Sequence, residues 1–464
     1  MEEPVAIVGM SCRFAGCATP AAFWDAIRFR QMMLTPPSAG AELPVGQRNV
    51  FGRPYPTRLG QLGDLYACVP SMQNFPRQVN AGENQDLYFA TQLAFDALVD
   101  ASMTPHAPES ARGSVRLGYA PPFNASTVNW LQHTSFLDQT MDILQRFFSH
   151  APDEALERVR TALSESLPPP DAASFLMGAG YRFVSWIARE CSLSGAATIM
   201  DAGILTGAST LLTAMDDLLS RRVDVALAGA LNPPLSRAYI EGLSGEIDFS
   251  TRPELHPFSQ EQDGTIPGEG GAFFVLKRRA DALRDHDRIY ALLRAIAIGR
   301  EAGTALAEEA SQRAEVPIRS IGLIEADGTG IAAQEAREIA VIQDLFGEHR
   351  PGGTLVGVGS VKGNIGHTLR ASMAAGVMKA ALALYHKVLP PQIAPEHPLE
   401  ALTHLGSSAY LLTEARPWIV AESSARRRAA VLGANFDSFA LGSSERQAGR
   451  GAVVILEEEP EDRT

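Results

Sequence analysis

Ala196–Leu219 reads AATIMDAGILTGASTLLTAMDDLL, and its periodicity changes in the middle. Thr198–Met200 is a short apolar, β-branched run, which predicts a buried strand. Asp201-Ala202-Gly203 is a turn of small residues. From Gly207 onward, Leu211, Leu212, Met215, Leu218 and Leu219 recur at helical spacing. Strand, sharp turn and helix in that order make a nucleophile elbow. Such an elbow holds one side chain at a helix start, where the dipole and free N–H groups favour a thiolate. Here nothing at the turn is a cysteine; Gly203 and Ile204 stand there instead.

Outward from the elbow, Val223–Gly229 (VDVALAG) continues into a second buried strand, Val225–Ala230. Pro4–Met10 (PVAIVGM) predicts a first core strand closing on Gly9, followed by Ser11-Cys12-Arg13-Phe14 and a helix start at Phe23–Ile27. Residues 35–60 are rich in Pro and Gly and read as surface loop. Asn84–Ala101 is an amphipathic helix with Leu87, Phe89, Leu93, Phe95 and Leu98 on its apolar face. Further on come HPFSQEQDGTIPGEGGAFFVLKR (256–278), IGLIEADGTG (321–330), GSVKGNIGH (359–367) and AVLGANFDSFALGSS (430–444). The glycines of 256–278 lack a following Lys-Ser/Thr, so they read as a turn ahead of a strand at 272–276 rather than a phosphate cradle. Gln334–Phe346 and Met373–Leu389 are helical, the latter ending at Pro390-Pro391. No internal repeat is obvious.

Together these stretches resemble the β-ketoacyl-ACP synthases, or ketosynthases, over nearly the whole chain. The family's elbow is written D-[TA]-A-C-[SA]-S-S. Asp201, Ala202 and Gly203 fall on its first three positions and Ile204 on the nucleophilic Cys. VDVALAG matches C-D-x-A-L-A-G without a gap. In V-E-A-H-G-T-G-T, Asp327 takes the place of the histidine. G-S-V-K-S-N-I-G-H is matched with Lys362 and His367 retained. Asn435, Phe436, Asp437 and Ser438 fall on the G-F-G-G gating loop, of which only the phenylalanine survives. The pattern N-x-x-Q-H-x-x-x-x-D-Q-T at 129–140 resembles the insertion of iterative synthases of the polyunsaturated-fatty-acid, heterocyst-glycolipid and enediyne type. His133, within it, reads as a packing or hydrogen-bonding histidine.

The resemblance implies an α/β, thiolase-like fold of two similar lobes in a layered αβαβα arrangement. The lobes would span 1–284 and 285–457, with a helical insertion near 120–175 and an acidic tail at 458–464. Length and composition agree: 464 residues, 45% hydrophobic and 20% charged, suit a sizeable soluble core. A net charge of −13 without a basic block argues against nucleic acid. The Met-Glu-Glu start lacks a secretory pattern and no apolar run approaches a membrane span, so a cytoplasmic location is expected. Cys12, Cys17, Cys68 and Cys191 form no C-x-x-C pair or metal set and read as buried thiols.

Condensation needs a thiolate to hold the acyl chain and two imidazoles to assist decarboxylation and steady the thioester oxygen. Ile204 removes the first. Asp327 removes one imidazole and, when ionised, repels a malonyl carboxylate, unless burial keeps it protonated; Lys362 is its candidate partner. Thr206 and Ser209 are nearby hydroxyls with no base placed to activate them. His367 and Lys362 read more readily as residues holding the loops together than as catalysts. Decarboxylating loading synthases swap Cys for Gln but keep both histidines, and non-elongating synthases keep the Cys. Chain-length factors lose the Cys and often histidines, which is the nearest pattern, although Ile204 is not their usual Gln. The expectation is therefore a catalytically silent partner, heterodimeric with an active ketosynthase, whose Ile204 forms part of an acyl-tunnel wall. The alternatives are a malonyl-ACP decarboxylase using His367, or a homodimeric scaffold of a larger synthase. No directly bound cofactor or metal is implied, only the phosphopantetheine arm of an acyl carrier protein. Carrier proteins are acidic, so Arg221-Arg222 and Arg426-Arg427-Arg428 are candidate docking residues.

Overall fold

The β-branched and apolar runs assemble into a sheet whose strand order repeats itself. The computed structural model describes residues 3–38, 43–64, 85–104, 111–120, 131–167, 169, 180–300, 303–346, 355–403, 409–420, 426–435 and 450–460. The first half of the chain contributes β1 (Val5–Phe14), β2 (Gly113–Gly118), β3 (Ala197–Met200), β4 (Val225–Asn232) and β5 (Gly270–Arg278). The second half contributes β6 (Ala291–Gly299), β7 (Leu323–Glu325), β8 (Val356–Gly359), β9 (Val388–Leu389), β10 (Ala409–Leu411), β11 (Arg416–Pro417), β12 (Arg428–Asn435) and β13 (Arg450–Glu457). Strands β9 and β11 form a separate ribbon; the others make one sheet in the order β10-β8-β7-β12-β13-β6-β1-β5-β4-β2-β3.

Within that order, β1-β5-β4-β2-β3 and β6-β13-β12-β7-β8 are the same arrangement twice. The first two pairings of each set are antiparallel and the last two parallel. β1 and β6 join the halves antiparallel. This is the internal repeat that the sequence conceals: the same path of strands is built from unlike residues.

The principal helices fill three layers around the two half-sheets. They are α1 (Gln85–Asp100), α2 (Leu137–Phe147), α3 (Asp153–Ser166), α4 (Gly180–Glu190), α5 (Thr206–Leu219), α6 (Thr304–Ala314), α7 (Ala332–Phe346) and α8 (Ser372–His386). α1 and α4 pack on the outer face of the first half-sheet, around Ala6, Val8, Leu117 and Phe273. α6 and α7 cover the outer face of the second, around Ala297, Ile324 and Ile455. α5 and α8 lie between them, in contact with strands of both halves. Three helical layers alternate with two sheet layers, which is the thiolase-like αβαβα order. A middle layer has no solvent face, so α8 is buried at every residue from Ser372 to Leu384.

The two central helices cross closely because α5 has no side chain at the crossing. A Cβ at Gly207 would lie 2.7 Å from the Ala374 backbone nitrogen. Gly207→Val is therefore expected to push the helices apart and cost about 3 kcal/mol or more, read as a lower urea midpoint.

Some boundaries differ from expectation for physical reasons. β1 does not close on Gly9 but continues to Phe14. Gly9 serves packing: a Cβ there would meet the Ala97 carbonyl oxygen at 2.5 Å, so the glycine lets α1 lie against the strand. The helix expected to reach Leu389 ends at His386, capped by Lys387 in the left-handed conformation. The chain then pairs as β9 with β11. The insertion contains a π-helical turn at Gln132–Phe136 leading into α2, then α3. His133 is half-buried there, its Nδ1 3.5 Å from Ser164 Oγ. Residues 121–130, 168, 170–179 and 461–464 of the insertion and tail lie outside the described residues. No helix among the described residues is long and apolar enough to cross a membrane.

Candidate functional site

β3, β7, β8 and β12 are joined by parallel pairing within their half-sheets, and the site residues leave from their carboxyl ends. This is where open α/β sheets bind ligands. After β3 the chain turns through Asp201–Leu205 into α5. Gly203 sits at φ 61°, a left-handed conformation that suits glycine. The Gly203 N–H donates to Asp201 Oδ1 at 3.0 Å. Thr206, fully buried, accepts from the Ala202 N–H at 2.8 Å and donates to the Gly203 carbonyl at 2.6 Å. Ser209 donates to the Leu205 carbonyl. The hydroxyls near the elbow thus serve the turn.

Arg370 anchors the elbow from 169 residues away. Its Nε and Nη2 bond the two Asp201 oxygens at 3.0 and 3.1 Å, and its Nη1 donates to Tyr239 Oη at 2.5 Å. Burial alone would raise the Asp201 carboxyl. The Arg370 guanidinium and the Gly203 N–H outweigh it and hold the group below the usual carboxylate range.

Ile204 faces a small cavity that it shares with Asp327, Val361, Lys362, Met373 and Leu432. The space is about 10 Å³, roughly room for one water. Asp327, past the end of β7, is buried and ion-paired to Lys362, past the end of β8. Lys362 Nζ also donates to the Asp327 carbonyl at 2.5 Å, and Ser360 Oγ does so at 3.0 Å. Two carboxylates of α7 hold this loop from the other side. Glu338 accepts from the N–H groups of Asp327 at 2.5 Å and Gly328 at 2.9 Å. Glu335 accepts from Gly330 at 2.7 Å and Phe258 at 2.8 Å. Burial pushes the Glu335 carboxyl up to about 8. Burial and the neighbouring Asp327 charge raise Glu338 as well.

A second buried pair lies alongside. Lys379 Nζ, on α8, is 2.5 Å from Glu325 Oε2, close enough for an ion pair though not aligned as a hydrogen bond. Glu325 Oε1 accepts from the Val361 N–H at 2.7 Å. Both lysines near the cavity are thus matched to carboxylates.

His367 is buried in the segment leading to α8. Its Nδ1 lies 3.0 Å from the Leu369 N–H, which donates to it, and 2.9 Å from Ser372 Oγ. Because Nδ1 accepts from a backbone N–H, the neutral ring carries its proton on Nε2. Burial, then the Lys362 ammonium, push the imidazole down to about 3. The fold therefore favours the neutral ring. That contribution is fully present above the ordinary histidine value of about 6.5 and is lost as pH falls toward about 3. The His367 ring is expected to show no titration near neutrality by NMR. His367→Asn is expected to flatten the acid-side loss of stability.

The remaining expected residues are placed as follows. Asn435 ends β12, while Phe436, Asp437 and Ser438 lie outside the described residues. Arg221 and Arg222 are exposed just after α5. Arg426 is half-buried. Arg427 pairs with Glu458 at 2.6 Å and donates to the Trp418 carbonyl. Arg428 pairs with Glu457 at 2.6 Å, so these two tie β12 to β13 and its extension. Cys12, Cys17 and Cys191 are buried and burial raises each thiol, that of Cys17 to about 12; Cys68 lies outside the described residues. Among the described residues, no group of three or more His, Cys, Asp or Glu side chains is arranged to hold a metal. Glu325, Glu335, Glu338, Arg370 and Lys379 were not singled out from sequence; only the buried setting of their helices and strands reveals them.

The family description "Beta-ketoacyl synthase, N-terminal domain" matches residues 2–282, and "Beta-ketoacyl synthase, C-terminal domain" matches residues 294–396. Among curated proteins, the chain is 26% identical to the spectinabilin polyketide synthase system protein NorA' of Streptomyces orinoci, over 99% of this chain and 12% of that one. It is 28% identical to the erythronolide synthase EryA3 of Saccharopolyspora erythraea, over 99% of this chain and 13% of that one. It thus spans about an eighth of each of these proteins. Among solved structures it resembles the ketosynthase from module 6 of the bacillaene synthase of Bacillus subtilis 168, with a TM-score of 0.77 at 22% identity, over 99% of this chain and 72% of that one. The oxazolomycin ketosynthase domain OzmH KS7 of Streptomyces albus gives a TM-score of 0.76 at 22% identity, over 100% and 77% of the two chains.

Proposed function

Because this chain belongs to the β-ketoacyl synthase family, we propose that it is a catalytically silent, chain-length-factor-like ketosynthase subunit or domain. Its partner would be an active ketosynthase, whose acyl tunnel it would shape in polyketide or fatty-acid-type biosynthesis. The observation that carries this is Ile204 at the elbow. No covalent acyl-enzyme can form on a hydrocarbon side chain, and Thr206 is buried with its hydroxyl engaged in the turn. The surroundings agree. The cavity at Ile204 has room for about one water, too little for an acyl pantetheine. Lys362, which could have met a negative oxygen, is paired with Asp327.

A route to pairing is open at β3. It is the end strand of the sheet, and its residues Ala197–Met200 are only half-buried. An edge strand presents unpaired N–H and C=O groups that a second chain can extend. Pairing there would bring the Ile204 elbow close to the partner. Carrier-protein docking, which needs exposed positive charge, falls better to the exposed Arg221 and Arg222, the latter 3.7 Å from Asp217, than to Arg427 and Arg428, which are less exposed and paired at 2.6 Å.

The decarboxylase reading has one observation in its favour: a neutral His367 with a proton on Nε2 can donate a hydrogen bond. It lacks free positive charge to receive the malonyl carboxylate, because Asp327 neutralises Lys362.

The test combines three measurements. Intact mass after incubation with acyl- and malonyl-loaded carrier protein is expected to show no acyl adduct. Carbon dioxide release is expected at background, unchanged in His367→Ala. Native mass with a co-expressed active ketosynthase is expected to show a one-to-one complex. An adduct at the elbow with turnover would overturn silence; a homodimer that ignores the synthase would favour the scaffold.

A further inference from the structure

α7 presents a buried carboxyl group to the loop that carries Asp327, and the site chemistry leaves it unused. Glu338 is 5% exposed. Its oxygens accept separately, Oε1 from the Asp327 N–H at 2.5 Å and Oε2 from the Gly328 N–H at 2.9 Å. The Asp327 carboxylate itself is paired with Lys362. One short loop thus brings together two buried carboxyl groups and a single ammonium. The surrounding charges supply no second one. Lys379 is matched to Glu325, the His367 ring is neutral, and Glu335, one turn earlier on α7, is a further carboxyl. The other side of Glu338 meets α6, β12 and β13 through residues such as Leu306, Ala307, Leu432 and Val453. Among the described residues of that cavity, none besides Glu338 is ionisable.

Two effects oppose each other at this carboxyl. Ionised, it keeps both N–H bonds but faces the Asp327 charge away from water, where repulsion is strong. Protonated, it escapes the repulsion and weakens one of the bonds. Burial first, and the Asp327 charge next, push it from 4.5 up to about 7 despite the two N–H groups. Once the loop parts from α7 and water enters, both causes vanish and the carboxyl returns toward 4.5. Docking of the loop is thereby linked to a proton. The contribution is complete below about pH 4.5, declines as pH rises, and is lost above about 7. His367 acts with the opposite sign, and from a different segment of the chain.

We infer that Glu338 is a proton-operated latch on residues 327–330: while it holds a proton the loop stays docked on α7 with Asp327 on Lys362, and when it ionises the loop loosens. Asp327 lines the cavity at Ile204, so the latch controls one wall of that cavity. This does not depend on whether the Ile204 site is silent.

The test is amide hydrogen exchange of the full chain, read by peptide mass spectrometry and corrected for the intrinsic effect of pH on exchange. Protection over residues 325–331 is expected to fall about tenfold or more between about pH 5 and about pH 7.5 and then to level off, while β1 keeps its protection. In Glu338→Gln, which has no proton to lose, the fall is expected to vanish. Asp327→Asn removes the opposing charge and leaves the Lys362 ammonium unopposed nearby, so the fall is expected to shrink. This second variant keeps the Glu338 side chain and tests the latch even where the glutamine variant does not fold. A flat wild-type profile, or a fall that either variant retains in full, would overturn the proposal. So would an equal loss of protection in β1, since the whole fold rather than the loop would then be titrating.

Discussion

Ile204→Cys is expected to leave carbon–carbon bond formation at background when acyl- and malonyl-loaded carrier protein are supplied. The substitution places a thiol where α5 begins, so the helix dipole and free N–H groups would favour its thiolate. Three things still oppose condensation. The cavity around position 204 has room for about one water. The second imidazole is absent, and losing one such donor costs about 10²–10³ in rate. An ion pair of Asp327 with Lys362 stands where that donor would act. Ile204→Cys/Asp327→His removes the last two obstacles and frees Lys362 but leaves the small cavity, so extension by it is still expected to stay at background. Product released by Ile204→Cys alone, at the rate of an active ketosynthase, would refute the account of the site given above.

Lys379→Met is expected to lower stability by about 3–5 kcal/mol, because it leaves the Glu325 carboxylate buried beside a hydrocarbon. Lys379 is fully buried on the central helix and Glu325 nearly so. Burial raises the Glu325 carboxyl, with Lys379 opposing that rise; without the ammonium the group would hold its proton to higher pH. Lys379→Met/Glu325→Gln is expected to recover much of the loss, since neither variant side chain is charged. Urea denaturation of the two single variants and the double variant gives the coupling directly. A loss below about 1 kcal/mol for Lys379→Met would mean that solvent reaches the pair and that the middle layer is looser than described.

The elbow could be read from sequence because it is local. A strand period, three small residues and a helix period lie within one short stretch, and turn chemistry depends on neighbours in the chain. The positions of Asp327, in 321–330, and of Lys362 and His367, both in 359–367, were legible for the same reason, within short motifs. The partners of those residues were not. Arg370 meets Asp201 across 169 residues, and Lys379 meets Glu325 only because β7 and α8 are brought together. Lys379 sits in a helix whose sequence reads as amphipathic, yet no face of it is in solvent from Ser372 to Leu384. The repeated strand order was hidden because half-sheets constrain apolar alternation and strand direction, which many sequences satisfy.

Sequence alone determined that the elbow has no thiol: which atoms a side chain carries does not depend on how the chain folds. It also determined those strands and helices whose period is local, such as β3, β4, α1 and α5, whereas β2, β6, α4 and α6 emerged only in the fold. Only the tertiary structure decided what the remaining charged groups do. Whether Lys362 is free or neutralised, whether His367 titrates, and whether Arg427 and Arg428 face a partner or a neighbouring strand all depend on burial and on distances through space.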